Sequence, residues 1–71
     1  METIAYPRDE RLLRLPQVRA RVALSTSAIY DRMAKGTFPK PVRIGENAVA
    51  WPSSAIDRWI EQRIAEAQSA A

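Results

Sequence analysis

"LSTSAIYDRMAKGTFPKPVRIGENAVAW" runs from Leu24 to Trp51 and carries three structural signals in succession. Ser25 suits a helix N-cap, because its side-chain oxygen can accept from an N–H of the first turn. Leu24 before it and Ile29 beyond it take the two positions of a hydrophobic staple. Ile29 and Met33 then form one apolar stripe. At about 100° per residue the opposite face carries Ser27, Asp31 and Ala34, flanked by Tyr30 and Lys35. Gly36 is placed to end this three-turn helix at positive φ. Pro39 and Pro41 push Phe38 and Lys40 into extended conformations. Val42-Arg43-Ile44 alternates, Gly45-Glu46-Asn47 supplies turn residues, and Ala48-Val49-Ala50-Trp51 returns. That predicts a β-hairpin with Val42, Ile44, Val49 and Trp51 on the inner face and Arg43 pointing outward.

Upstream, Leu15 to Ala23 reads as a short helix. Pro16 fits the first helical turn, and Leu15, Val18 and Val22 fall on one face. Arg11 to Arg14 is compatible with a short extended segment. Downstream, Pro52 or Ser54 opens a last helix, with Asp57 three residues after Ser54 at capping-box spacing. Ile56, Trp59, Ile60 and Ile64 make its apolar stripe, so Trp59 is assigned to the core rather than to a ligand platform. The expected organisation is a flexible segment 1–10, one folded domain 11–66, and a frayed tail 67–71.

Composition narrows the function. The 71 residues suit one small domain with a marginal core. They include no cysteine and no histidine, which removes disulfides, thiolate metal sites and the commonest general base. Catalysis would then need paired carboxylates in a cleft. Asp57 and Glu61 stand four apart on one helix face, but such a pair is ordinarily a solvated surface. Gly36 and Gly45 are the only glycines, so there is no glycine-rich phosphate loop. An enzyme, a metal and a cofactor are therefore not expected, nor is a small-molecule ligand. No apolar run approaches the ~20 residues of a membrane span, and the N-terminus has no signal-peptide core. The expected location is the cytoplasm, with the nucleoid. Charge is lopsided: residues 1–45 hold nine Lys/Arg against four Asp/Glu, and residues 46–71 hold two against four. A basic part of this kind suits a polyanion.

Two short helices joined by a few residues match a helix-turn-helix, whose second helix reads the major groove. A hairpin directly after it is a wing, held at a set distance from the reading helix. The plainer alternative is a hairpin that only covers the core and leaves Arg43 solvated.

The runs "RLLRLPQV", "LSTSAIYDRMAKGTFPKPVRIG", "AVAW" and "IDRWI" resemble the AlpA family of small prophage-borne DNA-binding proteins. That family is similar to phage excisionases and to the DNA-binding domain of MerR-type regulators. The resemblance covers about residues 10 to 64. It implies an α+β, mostly α fold, a small winged helix-turn-helix with three helices and a β-hairpin wing. It also implies sequence-specific double-stranded DNA binding as a prophage-type transcriptional regulator. The alternative is an excisionase-like DNA-bending recombination directionality factor, partnered by an integrase. A rival of another class is a protein-interaction module, adaptor or antitoxin-like. Self-association, as a dimer or as a cooperative array on DNA, fits either DNA-binding role.

This chain departs from the family pattern in places. Ala23 stands where the family often has Gly, at a cost of about 1–2 kcal/mol if the backbone there is left-handed. Thr26, Asp31 and Asn47 stand where basic residues are frequent. Asp31 would repel phosphate, or could accept from a cytosine amino group.

The candidate reading face is Ser25, Thr26, Ser27, Tyr30, Asp31 and Lys35. Thr26 and the first-turn N–H groups suit a phosphate. The Tyr30 hydroxyl suits a phosphate oxygen, with packing against the wing as the alternative. The wing candidates are Lys40, Arg43 and Asn47, for phosphate or minor-groove contact. Surface solvation is the bland alternative for each lysine. Arg19 and Arg21 either touch the DNA backbone or keep the first helix soluble.

Overall fold

A computed structural model describes residues 9–69. The elements follow in the order Leu12–Leu13 (β1), Leu15–Val22 (α1), Thr26–Ala34 (α2), Val42–Gly45 (β2), Ala48–Pro52 (β3) and Ser53–Ser69 (α3). This is the element order of a small winged helix-turn-helix, mostly helical, with an antiparallel sheet. The sheet has three strands, in the order β1-β3-β2. The third strand is the Leu12–Leu13 segment, which pairs Leu12 with Pro52 and Leu13 with Trp51.

The helix ends follow local rules. Pro16 sits in the first turn of α1, and the Arg14 N–H donates to the Gln17 side chain at 2.9 Å. Ala23 ends α1 at φ 59°, ψ 36°, in the left-handed region where a Cβ is costly. Ser25 caps α2 by accepting from the Ala28 N–H at 3.2 Å. Gly36, at φ 77°, closes α2. Its N–H donates to the Met33 carbonyl and that of Thr37 to the Arg32 carbonyl. Those two bonds make a Schellman motif.

The core is built from Leu13, Val18, Ile29, Phe38, Trp51 and Ile56, with Leu15, Val22, Leu24, Met33, Trp59 and Ile60 packed against it. Both halves of the Leu24–Ile29 staple are thus in place. Every helix and the central strand contribute at least one of the fully buried side chains Val18, Ile29, Trp51 and Ile56. Burying one such side chain contributes about 1.5–3 kcal/mol, a large share of the stability of a domain this small.

Three expectations need correction. First, of Val42, Ile44, Val49 and Trp51, only Trp51 is buried; the other three are 42%, 44% and 38% exposed. The register is the reason. Val42 pairs with Ala50 and Arg43 with Val49, but the next pair is Gly45 with Ala48, so Ile44 is the extra residue of a β-bulge. Directly paired residues share a face. Val42 therefore lies on the Ala50 face, away from Trp51. Second, Arg43 shares the face of Val49 and Trp51 instead of opposing it. It is exposed because the hairpin there extends past the core. Third, Ile64 does not complete the buried stripe of α3, being 52% exposed.

The start of α3 is also capped differently from the Ser54–Asp57 box. The Glu10 carboxylate accepts from the Ser53 hydroxyl at 3.2 Å, the Ser54 N–H at 3.1 Å and the Ser54 hydroxyl at 2.8 Å. Asp57 instead pairs with Arg21 of α1. Of the segment 1–10 assigned as flexible, residues 1–8 lie outside the described residues. At the other end α3 continues to Ser69, through most of the tail expected to fray.

Candidate nucleic-acid interface

One face of α2 is committed to the core through Ile29, and the face turned away from it is free. Ser27, Tyr30, Asp31, Ala34 and Lys35 are all exposed. Tyr30 is 46% exposed, large for a residue with an aromatic ring to bury. Thr26 is half-buried. Ser25 is exposed, but its hydroxyl is occupied by the cap and lies 3.4 Å from the Ser27 hydroxyl. Thr26 and Ser27 hold the first two helical positions, so their N–H groups have no partner within the helix. They add positive potential at that end.

Charge on this face is partly self-neutralised. Lys35 Nζ lies 3.0 Å from Asp31 Oδ2, one turn apart, and both side chains are mostly exposed. An exposed pair of this kind breaks cheaply. Lys35 is therefore available to a phosphate at little cost.

The hairpin carries its own polar tip. Lys40, Arg43 and Asn47 are exposed. The Arg43 guanidinium donates to the Glu46 carbonyl at 3.4 Å, which leaves most of its donors unengaged. Arg19 is exposed on α1. Arg21 is not equivalent to it, because its guanidinium is held by Asp57 of α3. That ties Arg21 to the helix packing and makes it the weaker candidate for DNA.

What relates the helix to the hairpin is the strap between them. Phe38 is buried. Its ring meets Trp59 edge-on, with centroids 5.0 Å apart and planes at 62°. The Trp59 indole N–H donates to the Thr37 carbonyl at 2.9 Å, and the Trp51 indole N–H to the Pro39 carbonyl at 2.9 Å. Two tryptophans thus hold two carbonyls on either side of Phe38. Pro39 and Pro41, with their fixed φ, stiffen the strap together with these tertiary hydrogen bonds. The signal was present in the sequence, since an indole N–H taken out of water needs an acceptor. The partners could not be read, because Pro39 lies 12 residues from Trp51 and Thr37 lies 22 residues from Trp59 along the chain.

Residues 11–64 match the sequence profile of the family described as Prophage CP4-57 regulatory protein (AlpA). The chain belongs to the AlpA family. Two relatives place this AlpA-family protein further. One is the uncharacterized protein ORF88 of Enterobacteria phage P4, 45% identical over 57 residues, 80% of this chain and 65% of the relative. The chain thus spans about two thirds of that relative's length. The other is the DNA-binding transcriptional activator AlpA of Escherichia coli strain K12, 36% identical over 59 residues, 75% of this chain and 84% of the relative. No solved structure matches the chain. Among the described residues, no helix is long and apolar enough to cross a membrane.

Proposed function

We propose that this AlpA-family protein binds double-stranded DNA as a winged helix-turn-helix and regulates transcription. In this reading α2 enters the major groove with Ser27 and Asp31 toward the base edges and the Tyr30 hydroxyl toward a phosphate oxygen. Thr26, Lys35 and Arg19 meet phosphates of the same site. Lys40, Arg43 and Asn47 reach the flanking backbone from the wing. Arg21 joins them only if its pairing with Asp57 is exchanged for phosphate.

The observation that carries the reading is geometric. The polar side of α2 is open to solvent, while the strap leaving α2 is pinned by Trp51 and Trp59. A reading helix and a wing held in fixed relation can engage two parts of one duplex without ordering the link between them on binding. The K12 relative, named a DNA-binding transcriptional activator, supports the same assignment.

The test is duplex binding followed by fluorescence anisotropy across a salt series. Log affinity is expected to fall linearly with log salt. Arg43→Ala is expected to lower affinity and to flatten the slope by about one unit. An unchanged slope removes Arg43 from the phosphate contacts. Absence of binding to any duplex at low salt, together with capture of one protein partner, establishes the interaction-module alternative instead. Footprint length and DNA bending separate the remaining roles: one short unbent site suits a regulator, and a bent multi-copy array suits an excisionase-like factor working with an integrase.

A further inference from the structure

The strap leaving α2 and the outer side of α3 enclose a cleft of about 600 Å³, within the size range of ligand sites. Thr37, Phe38 and Pro39 line one wall, and Arg58, Trp59 and Arg63 the other. The Trp59 indole N–H donates to the Thr37 carbonyl at 2.9 Å, so one wall is tied to the other and the cleft is formed in advance. None of its lining residues belongs to the candidate DNA face of α2 or to the hairpin tip.

The cleft holds unspent positive charge. Among the described residues, Arg63 Nε is the one buried side-chain nitrogen or oxygen without a hydrogen-bond partner. A buried donor left unmade is costly. The Nε–H and one Nη2–H leave the guanidinium along a single edge, the edge that grips a carboxylate by two parallel bonds. Glu66 takes only the Nη2 half, at 2.8 Å. The Glu66 side chain is 67% exposed, and a surface pair of this kind exchanges cheaply. The guanidinium carbon lies 5.3 Å from the Trp59 ring centroid, which holds the group in place. Arg58 is exposed and enters none of the ion pairs among the described residues.

We propose that this cleft binds an acidic segment of a protein partner. One carboxylate of the segment displaces Glu66 and takes both donors of the Arg63 edge. A second meets Arg58, and an apolar side chain between them lies on Pro39, Ala55 and Trp59. Those three are only half-buried, so an occupant removes more of their surface from water. That apolar floor is what selects a peptide over a duplex, since phosphates carry no side chain to cover it. The proposal goes beyond the DNA-binding reading. It uses a different surface, and its test needs no DNA, so the two fail separately.

The probe is a capped peptide of four glutamates flanking one phenylalanine, titrated at low salt into the isotope-labelled full chain and followed by NMR. The Trp59 indole and Arg63 Nε–H signals are expected to shift saturably, with Ser27 and Asp31 unmoved. The glutamine counterpart of the peptide is expected to bind at least about tenfold more weakly, lacking charge-assisted bonds. Arg63→Lys keeps the charge but not the two-donor edge, and is expected to weaken binding about fivefold. Arg58→Gln alters an exposed side chain and is expected to weaken it about threefold. Glu66→Gln removes the competing carboxylate and is expected to tighten binding about two- to threefold, an effect that damage to the fold would not produce. No saturable shift at Trp59, equal binding of the glutamine peptide, or a Glu66→Gln protein that binds no tighter than wild type would each overturn the proposal. So would Trp59 and Arg63 signals that answer to duplex DNA and not to the peptide, an outcome that assigns the cleft to phosphate.

Discussion

The indole N–H of Trp51 donates to the Pro39 carbonyl at 2.9 Å, and so ties the returning strand of the hairpin to the strap leaving α2. Trp51 is fully buried and Pro39 half-buried, so this bond is largely shielded from competing water. Trp51→Phe removes the donor, leaves the carbonyl without its partner and opens a small void. The combined loss is expected to be about 2–4 kcal/mol, read as a fall in the urea midpoint. Trp59→Phe removes a bond in a more exposed setting and is expected to cost only about 1 kcal/mol. Equal losses for the two variants would show that burial does not distinguish the two clamps.

Ala23 holds a left-handed conformation that favours glycine. Ala23→Gly relieves about 1–2 kcal/mol of strain and gives back part of it through the more flexible unfolded chain. The net expectation is a gain of about 0.5–1 kcal/mol, or a rise in Tm of a few degrees for a domain this size. Thermal unfolding by circular dichroism measures it, and a lower Tm would rule out strain relief as the dominant effect.

Glu10 fastens the chain ahead of β1 to the start of α3 through Ser53 and Ser54. The Arg11 N–H donates to the Ser53 hydroxyl at 2.9 Å, and the Ser53 N–H to the Arg11 carbonyl at 2.7 Å. Glu10→Ala removes the side-chain cap and is expected to cost about 1–2 kcal/mol. Glu10→Gln keeps one acceptor oxygen and is expected to lose about half as much. Hydrogen exchange at the first turn of α3 locates the effect, and unchanged exchange there in Glu10→Ala would contradict the capping role.

Asp31 and Lys35 neutralise each other on the free side of α2. Asp31→Asn breaks an exposed pair worth about 0.3–0.5 kcal/mol, so the fold is expected to survive. On the DNA-binding reading it removes a negative charge and releases Lys35, so affinity for mixed-sequence duplex rises and the salt slope steepens by up to about one unit. A loss of affinity confined to particular sequences would instead assign Asp31 to a base contact, as its acceptor oxygens permit.

Much of the candidate interface was legible along the chain. Ser27, Asp31 and Ala34 oppose Ile29 by helical spacing alone, and all three are exposed. The Arg21–Asp57 pair was not legible, because it joins α1 to α3 across 36 residues. It changes Arg21 from a free cation into one already engaged. The Glu10 cap was hidden for the same reason. A carboxylate near an N-terminus carries no mark of which helix it will cap.

The sequence by itself determined where α1 begins and where α2 begins and ends. Ser25, Pro16 and Gly36 act on their own backbone or on residues within one turn, so their effects survive any tertiary arrangement. It also determined which side of α2 is buried, because a rigid period of 3.6 leaves no choice once Ile29 is in the core. Only the tertiary structure decided the faces of the hairpin and the course of the strap. One extra residue at Ile44 inverts the alternation after it. The strap follows the positions of two indole donors supplied by β3 and α3. Both outcomes depend on partners distant in the chain, where local periodicity has no leverage.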